Sequence, residues 1–472
     1  MIKFHFAIHY NFLMKKFSSI TSLEKWIDSY LNFEKTPKKN IFWLETMRFF
    51  CEKFGHPENF APCFHVAGSK GKGSVSLFIA SILDAAGYKT GLYTSPHILD
   101  FIERVSSATG PFDESVYARA VEEIMTGVKS IDTKELPSER PITWFELVTL
   151  FGFLVFRQAK VDYSVFEVGL GGRLDSTNVV TPICSCIAAL ELEHTEFLGD
   201  TIEKIAAEKG GIIKSGVPVV VAKQTENVKE VLRKIAKEKN SKVIFVDEII
   251  KDIKTCLKKY TIKDVNLLEK DTYCMDFELS CGLFSRTLKA KLNLLGNFQA
   301  ENAALAAIAI KTALPQISEE TIEKGLSNAK LPARFEICEN PKGFEGIPAL
   351  ILDGAHTVKS VGFTMETFNT LFEDKDAALL FGCAADKDSK DIAPLFKNAF
   401  SKVYLTRPGE VKQSNLSEIE SCFSEAGIKY DSNSDFKMQI KKALEESAEN
   451  KRVLLVTGSF YLVSEVKKIL KR

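Results

Sequence analysis

Residues 63–87 read Cys63-Phe64-His65-Val66-Ala67, then Gly68-Ser69-Lys70-Gly71-Lys72-Gly73, then Ser74-Val75-Ser76-Leu77-Phe78-Ile79-Ala80-Ser81-Ile82-Leu83-Asp84-Ala85-Ala86, and end at Gly87. The first five residues form a short apolar run of the kind that builds a buried strand. Three glycines in the next six break regular structure and let backbone N–H groups converge. The third stretch repeats apolar residues at helical spacing and predicts a helix over 74–86, stopped by Gly87. A strand that delivers a glycine loop to a helix N-terminus makes a cradle for phosphate, because the amides and the helix dipole both point at the anion. Lys72 would reach the outer phosphates. Alone, such a loop also reads as a tight turn; strand, loop, lysine and helix in this order favour the phosphate reading.

Outward from this unit, apolar runs and helical-period segments keep alternating, which predicts an α/β fold with a mostly parallel sheet. Further strands are expected at 163–168, 184–190, 219–222 and 243–246, and a helix at 299–314. Residues 251–295 read differently, as short β segments with charged turns in an inserted or peripheral sheet. After 318–336 a second series begins, with strands near 349–352, 378–381, 403–405 and 453–456, the first three each followed by a helical stretch. The expected division is 1–328 and 329–472, with the cleft between the two parts as the natural ligand site. The longest apolar stretch, 142–156, contains Glu146 and falls short of the ~20 residues a membrane helix needs; it reads as a buried helix.

The 472 residues carry 62 Lys+Arg against 62 Asp+Glu, a balance that argues against a general binder of nucleic acid or anionic membrane. The ten cysteines show neither C-x-x-C pairs nor the density of a secreted disulfide scaffold, so reduced thiols and a cytoplasmic location are expected. The opening MIKFHFAIHYNFLMKKF has apolar stretches broken by His5, His9 and Asn11 and no small-residue cleavage site, unlike a signal peptide. Met14 begins a more ordinary amphipathic start, so residues 1–13 read as an extension or a misassigned start. A monomer is expected.

The loop departs from the general P-loop G-x-x-x-x-G-K-[ST], since Gly73 separates Lys72 from Ser74. In that departure it resembles the G-[ST]-x-G-K-G-[ST] loop of folylpolyglutamate synthases within the Mur ligase superfamily. The likeness continues through Gly91-Leu92-Tyr93-Thr94-Ser95-Pro96-His97 with Glu103-Arg104-Val105, and through Thr143-Trp144-Phe145-Glu146. Its most specific piece is Glu167-Val168-Gly169-Leu170-Gly171-Gly172-Arg173-Leu174-Asp175-Ser176-Thr177-Asn178. It then runs through Glu193-His194, Glu208-Lys209-Gly210, Gly296-Asn297-Phe298-Gln299 to Asn302, Pro332-Ala333-Arg334, Asp353-Gly354-Ala355-His356 and Asp386-Lys387-Asp388.

The resemblance implies a P-loop NTPase-like N-terminal domain and a smaller Rossmann-like α/β C-terminal glutamate ligase domain. It also implies ATP-dependent ligation of L-glutamate to a folate carboxylate through an acyl phosphate, with tetrahydrofolate, dihydropteroate or both as acceptor. Carried over residue by residue, ATP would be bound by Gly71, Lys72, Gly73, Ser74, Asn302, Arg334, Asp353 and His356. Mg²⁺ would be held by Ser95, Glu167 and His194. Folate or pteroate would meet Thr143, Glu146, Arg173 and Asp175, and Lys72, His194 and a carbamylated Lys209 would be catalytic. Residues 39–45 lie where bifunctional members contact the pteroate. Four departures stand out: Phe298 for a histidine, Glu193 for an aspartate, Gly210 for an alanine, and Thr357-Val358 for N-P.

The residue types suit the chemistry. Phosphoryl transfer needs positioning and charge neutralisation, which Lys72, the loop amides and Mg²⁺ would supply. Hard oxygen ligands such as Ser95 and Glu167 suit Mg²⁺; His194 is less typical, and in isolation reads as a buried, hydrogen-bonded histidine. Lys209 in isolation reads as a solvated helix lysine. Arg334 at the linker can bridge phosphates, and Asp353 and His356 follow a strand end, where open α/β sheets bind ligands. Two other readings stay open: a Mur-type ligase acting on a cell-wall precursor, and a nucleotide-binding protein without ligase activity. The T-S-P-H, G-G-R-L-D and D-K-D segments favour the folate branch, and the retained lysine, metal ligands and arginine favour catalysis.

Overall fold

The computed structural model describes residues 17–32, 43–137, 140–263 and 269–470. The proposed extension at residues 1–13, Met14, and residues 39–42 of the stretch expected near the pteroate lie outside them.

The first sheet comprises β1 (Cys63–Ala67), β2 (Thr90–Tyr93), β3 (Val105–Ser106), β4 (Tyr163–Glu167), β5 (Cys184–Ile187), β6 (Val219–Val221) and β7 (Val243–Phe245). Its order is β3-β2-β4-β1-β5-β6-β7, parallel except for β3. β1 lies between β4 and β5 and is buried along its whole length. Helices cover both faces of such a strand, which is why it reads as an unbroken apolar run. Its C-terminal end opens onto the glycine loop.

The helix after the loop spans Lys72–Ala85. It starts two residues before the expected Ser74 because Gly71, at φ +85°, turns the chain in a left-handed conformation that only glycine adopts freely. Residues from Ser74 to Leu83 are all buried. This helix packs beside helices Asn297–Ala313 and Glu319–Asn328, so it has almost no solvent face. Ser81 Oγ donates to Gly325 O at 2.7 Å across one of these contacts. The apolar stretch at 142–156 is helix Trp144–Ala159, buried as expected.

Residues 250–292 correct the expectation of short β segments. β8 (Ile250–Lys263) and β9 (Glu269–Cys281) are 14 and 13 residues long and, with β10 (Leu288–Leu292), form an antiparallel sheet of order β10-β9-β8. Along 252–257 exposed Asp252, Lys254 and Cys256 alternate with half-buried Ile253, Thr255 and Leu257, the period of a ribbon with one solvent-facing side.

The second sheet comprises β11 (Glu336–Cys338), β12 (Leu350–Leu352), β13 (Ala377–Phe381), β14 (Lys402–Leu405), β15 (Asp431–Ser432) and β16 (Val453–Thr457). Its order is β11-β12-β16-β13-β14-β15, parallel except for β11. β11 and β15, of three and two residues, carry too little pattern to be read from sequence. β16 is also followed by a helix, Phe460–Leu470, which the sequence reading lacked. No described helix is long and apolar enough to cross a membrane.

A Cβ on Gly325 would lie 2.3 Å from Ile82 Cα, so the two helices approach backbone to backbone there. Alanine is normally worth about 1 kcal/mol more than glycine inside a helix. Here the clash outweighs that gain, since overpacking of this kind costs about 1–3 kcal/mol. Gly325→Ala should therefore lower the urea midpoint at unchanged m-value; a midpoint at or above the parent's would refute the close packing.

Candidate functional site

The phosphate loop rests on the segment that follows β5. Ala189 O accepts both Ser69 N (2.9 Å) and Lys70 N (3.1 Å), and Glu191 O accepts Ser69 Oγ (3.1 Å). From the other side Asn302 presses on the loop: a Cβ on Gly71 would meet its Oδ1 at 2.3 Å. Asn302 is itself oriented by Gln299, whose Oε1 accepts its Nδ2 at 3.0 Å. Lys72 Nζ, in the first helical turn, reaches back to Gly68 O at 3.0 Å, and Ser74 is buried beneath.

Glu167, the last residue of β4, is buried beside this loop, and a side chain on Gly73 would come to 3.5 Å from its Oε2. It accepts Ser95 N at 3.0 Å and has no ion-pair partner among the described residues. Burial raises its pKa; Lys72, Arg334 and Arg104 pull the other way. A buried carboxylate next to a phosphate loop, left without a direct cation, suits a hard divalent ion.

Lys209, near the end of helix Ile202–Gly210, is buried at 2% exposure and is not the solvated helix lysine that isolated sequence suggests. Its Nζ donates to Gly68 O (2.9 Å) and to Glu193 Oε1 (3.1 Å). Burial, reinforced by Lys72, lowers its pKa to about 8 against the pull of Glu193. Burial pushes Glu193 up, but Lys72, Lys209 and Lys70 together hold it below its ordinary value. Desolvation also lowers the pKa of the neighbouring His194 against the pull of Glu193, and Lys72, Lys209 and Lys387 add to the lowering. His194, Lys209 and the loop thus form one electrostatic unit.

The second sheet supplies the remaining groups. Arg334 feels Asp353 and Glu167 as its nearest opposing charges and stacks 4.4 Å over the Phe460 ring. Asp353 is an anchor: its carboxylate accepts Phe335 N (2.7 Å), Ala355 N (2.9 Å) and Thr364 Oγ1 (2.9 Å). His356 Nδ1 lies 2.8 Å from Gly354 O, and since a carbonyl only accepts, the proton sits on Nδ1. Burial lowers the His356 pKa to about 4, helped by Lys70 and Lys387.

The residues expected at the folate divide. Arg173 lines a cleft of about 330 Å³ with Trp43, Leu170, Phe197, Glu196 and Glu208, and pairs with Glu208 at 2.9 Å. Asp175 is buried and gives both oxygens to its own loop, accepting Gly169 N, Leu170 N and Thr177 N at 2.9–3.0 Å. Thr143 and Glu146 form the capping box of helix Trp144–Ala159, with Arg140 paired to Glu146. Of these four residues, Arg173 is the one that lines the cleft. Arg104, which donates to His97 Nδ1 at 2.7 Å and lies 4.8 Å over Trp144, ties the T-S-P-H and T-W-F-E segments together.

Two family descriptions match the chain: Mur ligase middle domain over residues 66–310, and Mur ligase, glutamate ligase domain over residues 333–460. The dihydrofolate synthase/folylpolyglutamate synthase of Bacillus subtilis is 30% identical over 460 residues, spanning 96% of this chain and 100% of its own. The crystal structure of Thermotoga maritima folylpolyglutamate synthase is similar at TM-score 0.75 and 29% identity, over 96% of this chain and 97% of that one. Escherichia coli FolC in complex with DHPP and ADP is similar at TM-score 0.76 and 26% identity, over 95% and 97%. The chain belongs to the Mur ligase family, in its branch of folylpolyglutamate and dihydrofolate synthases.

Lys70, Glu191, Lys359, Lys387 and Phe460 stand in or beside this cluster without having been assigned a role from sequence. The D-K-D motif is the one signal that points to Lys387; nothing in the sequence singles out Phe460.

His65, on β1 and wholly buried, contacts Thr177 Oγ1 at 2.8 Å, and burial lowers its pKa to about 3. Unfolded, it takes up a proton near 6.5, so below that pH the unfolded state binds more protons and His65 subtracts stability as the pH falls toward 3. The stability advantage of the parent over His65→Gln should therefore shrink from pH 7 to pH 4.5 in parallel thermal melts. A constant or growing advantage would contradict the buried neutral ring.

Proposed function

We propose that this chain is an ATP-dependent ligase that joins the amino group of L-glutamate to a folate carboxylate. The observation that carries this reading is the meeting of the loop cations Lys70 and Lys72, the unpaired Glu167, the Glu193–Lys209 pair and the linker Arg334 at the ends of two sheets, beside a cleft with aromatic and charged walls. Family membership and a neighbour solved with DHPP and ADP support the substrates.

In this reading residues 1–328 and 329–472 act as two domains. Gly71, Gly73 and Ser74 present amides to the phosphates, Lys72 and Arg334 neutralise their charge, and Asn302 fixes the loop. Asp353 holds the backbone on either side of Arg334 and His356, so it positions rather than contacts. The folate carboxylate attacks the γ-phosphorus and ADP leaves. The glutamate amine then attacks the acyl carbon of the acyl phosphate, losing a proton, and inorganic phosphate departs. Charge stabilisation by preorganised groups is the largest contribution such a site makes.

Glu167 and Ser95 fit Mg²⁺, because the carboxylate is buried, faces the loop and has no ion-pair partner among the described residues, and the resemblance adds His194 to them. Mg²⁺ would add neutralisation of the phosphate oxygens. The cleft at Arg173 and Trp43 takes the flat ring system of the folate, with Phe197 and Trp43 as apolar surfaces and Glu196 and Glu208 as acceptors. A cytoplasmic monomer completes the reading, and the free thiols support the compartment.

Phosphate release that requires ATP, L-glutamate and a reduced folate or dihydropteroate, with the product gaining one glutamate by mass spectrometry, is the expected outcome. Release without either acceptor would point to a different substrate. Lys72→Ala should lower turnover by about 10²-fold or more, in keeping with the loss of a donor to developing charge, while the fold persists. Near-parental turnover would remove the loop from the chemistry.

Lys209 is proposed to be carbamylated during turnover. Reaction with CO₂ needs the neutral amine, and the lowered pKa of about 8 raises its share. The new anion would face Glu193, so a bound cation must compensate it. Intact-mass analysis under bicarbonate with ATP and Mg²⁺ should show the adduct, and Lys209→Ala should be nearly inactive. Full activity of Lys209→Ala in degassed buffer would leave the lysine as only the partner of Glu193.

A further inference from the structure

One face of helix Val358–Phe372 rests on the first half of the molecule through residues spaced i, i+4 and i+7. Lys359 Nζ meets Glu191 Oε1 at 2.9 Å. Phe363 stacks on Phe298 with ring centroids 5.4 Å apart and planes 20° from parallel. Glu366 Oε1 accepts Asn297 Nδ2 at 2.8 Å. Lys359 also stands 5.8 Å over the Phe363 ring, so the first two contacts adjoin one another.

Both contact regions belong to segments that support the glycine loop. Glu191 O accepts Ser69 Oγ, and Ala189 O, two residues earlier, accepts the amides of Ser69 and Lys70. Asn297 and Phe298 begin the helix that carries Asn302 against Gly71. The docking helix therefore touches two supports of the loop: Glu191, whose carbonyl holds Ser69, and the start of the helix that sets Asn302 against Gly71. Phe298 accordingly gives one ring face to the other half of the protein.

We propose that Glu191 and Lys359 are positioning residues for phosphoryl transfer: their ion pair, seated by the Phe298–Phe363 stack, makes seating of the second half and setting of the phosphate loop a single event. This rests on the reading that the loop at Gly68–Ser74 holds the ATP phosphates. Glu191 needs no contact with ATP for this. It acts through its own carbonyl on Ser69.

The test is a double-mutant cycle in the full-length enzyme with Lys359→Ala, Glu191→Gln and both together, measuring kcat and the KM for ATP, with Lys359→Arg as the conservative variant. Partly exposed ion pairs are modest, so each single change should lower kcat/KM for ATP about fivefold. The double variant should be no worse than the poorer single one, Lys359→Arg should stay within about twofold, and melting temperatures should hold, because coupled residues are non-additive. A Lys359→Ala enzyme within about 1.5-fold of the parent, or single effects that multiply in the double variant, overturns the coupling. Failure here is separable from failure of the ATP assignment: if Lys72→Ala abolishes turnover while Lys359→Ala is silent, only the positioning role falls, whereas full activity of Lys72→Ala removes both.

Discussion

A glycine loop can grip phosphate only if its amides are held still, and glycine supplies no side chain to hold them. In this chain the constraint is met from outside: Ala189 and Glu191 fix the Ser69 side and Asn302 fills the space against Gly71. The order of the first sheet follows from this need, because β1 must lie beside β5 for the segment after β5 to pass under the loop. The helix from Lys72 must be clamped as well, and it is, between the sheet and two further helices. Pre-paid positioning of this kind is where catalysis of phosphoryl transfer draws its advantage.

Electrostatics set the second requirement. Lys70, Lys72, Lys209, Lys387 and Arg334 approach one region, and Glu167, Glu191 and Glu193 answer them. Two like charges about 4 Å apart cost ~4 kcal/mol at an effective dielectric near 20, so such a cluster stands only with its counter-charges or with bound phosphate. The Lys209–Glu193 pair shows the local solution, since stripping one partner from a buried pair costs about 3–5 kcal/mol. Glu167 is the exception, a buried carboxylate with one backbone donor and no ion-pair partner among the described residues.

The two sheets are joined by more than a linker. Arg334 stacks over the Phe460 ring within the electrostatic reach of Asp353 and Glu167, while Phe298, Asn297 and Glu191 receive one helix face of the second half. Phe298 illustrates how a family position can change its use: where a histidine would offer hydrogen bonds, the phenyl ring offers a flat apolar surface, and the second half covers it.

The sequence by itself determined the α/β class, the strand–loop–helix unit at Cys63–Ala85 and the identity of the loop lysine, because periodicity and glycine placement are local and need no partner. The resemblance to the family also marked Glu167, Asn302 and Arg334. It could not show that Asp175, Thr143 and Glu146 spend their oxygens on their own backbone, since a capping side chain and a ligand-binding one look alike in one dimension. Nor could it show that Lys209 is buried, for a helix lysine becomes a low-pKa amine only when distant segments close over it. The long β8–β9 ribbon looked like scattered turns because exposed lysines alternate with its apolar face. What only the tertiary structure decided is which charges face one another: Glu191 and Lys359 are 168 residues apart, and burial and Coulomb energy depend on distance through space, which no local pattern encodes.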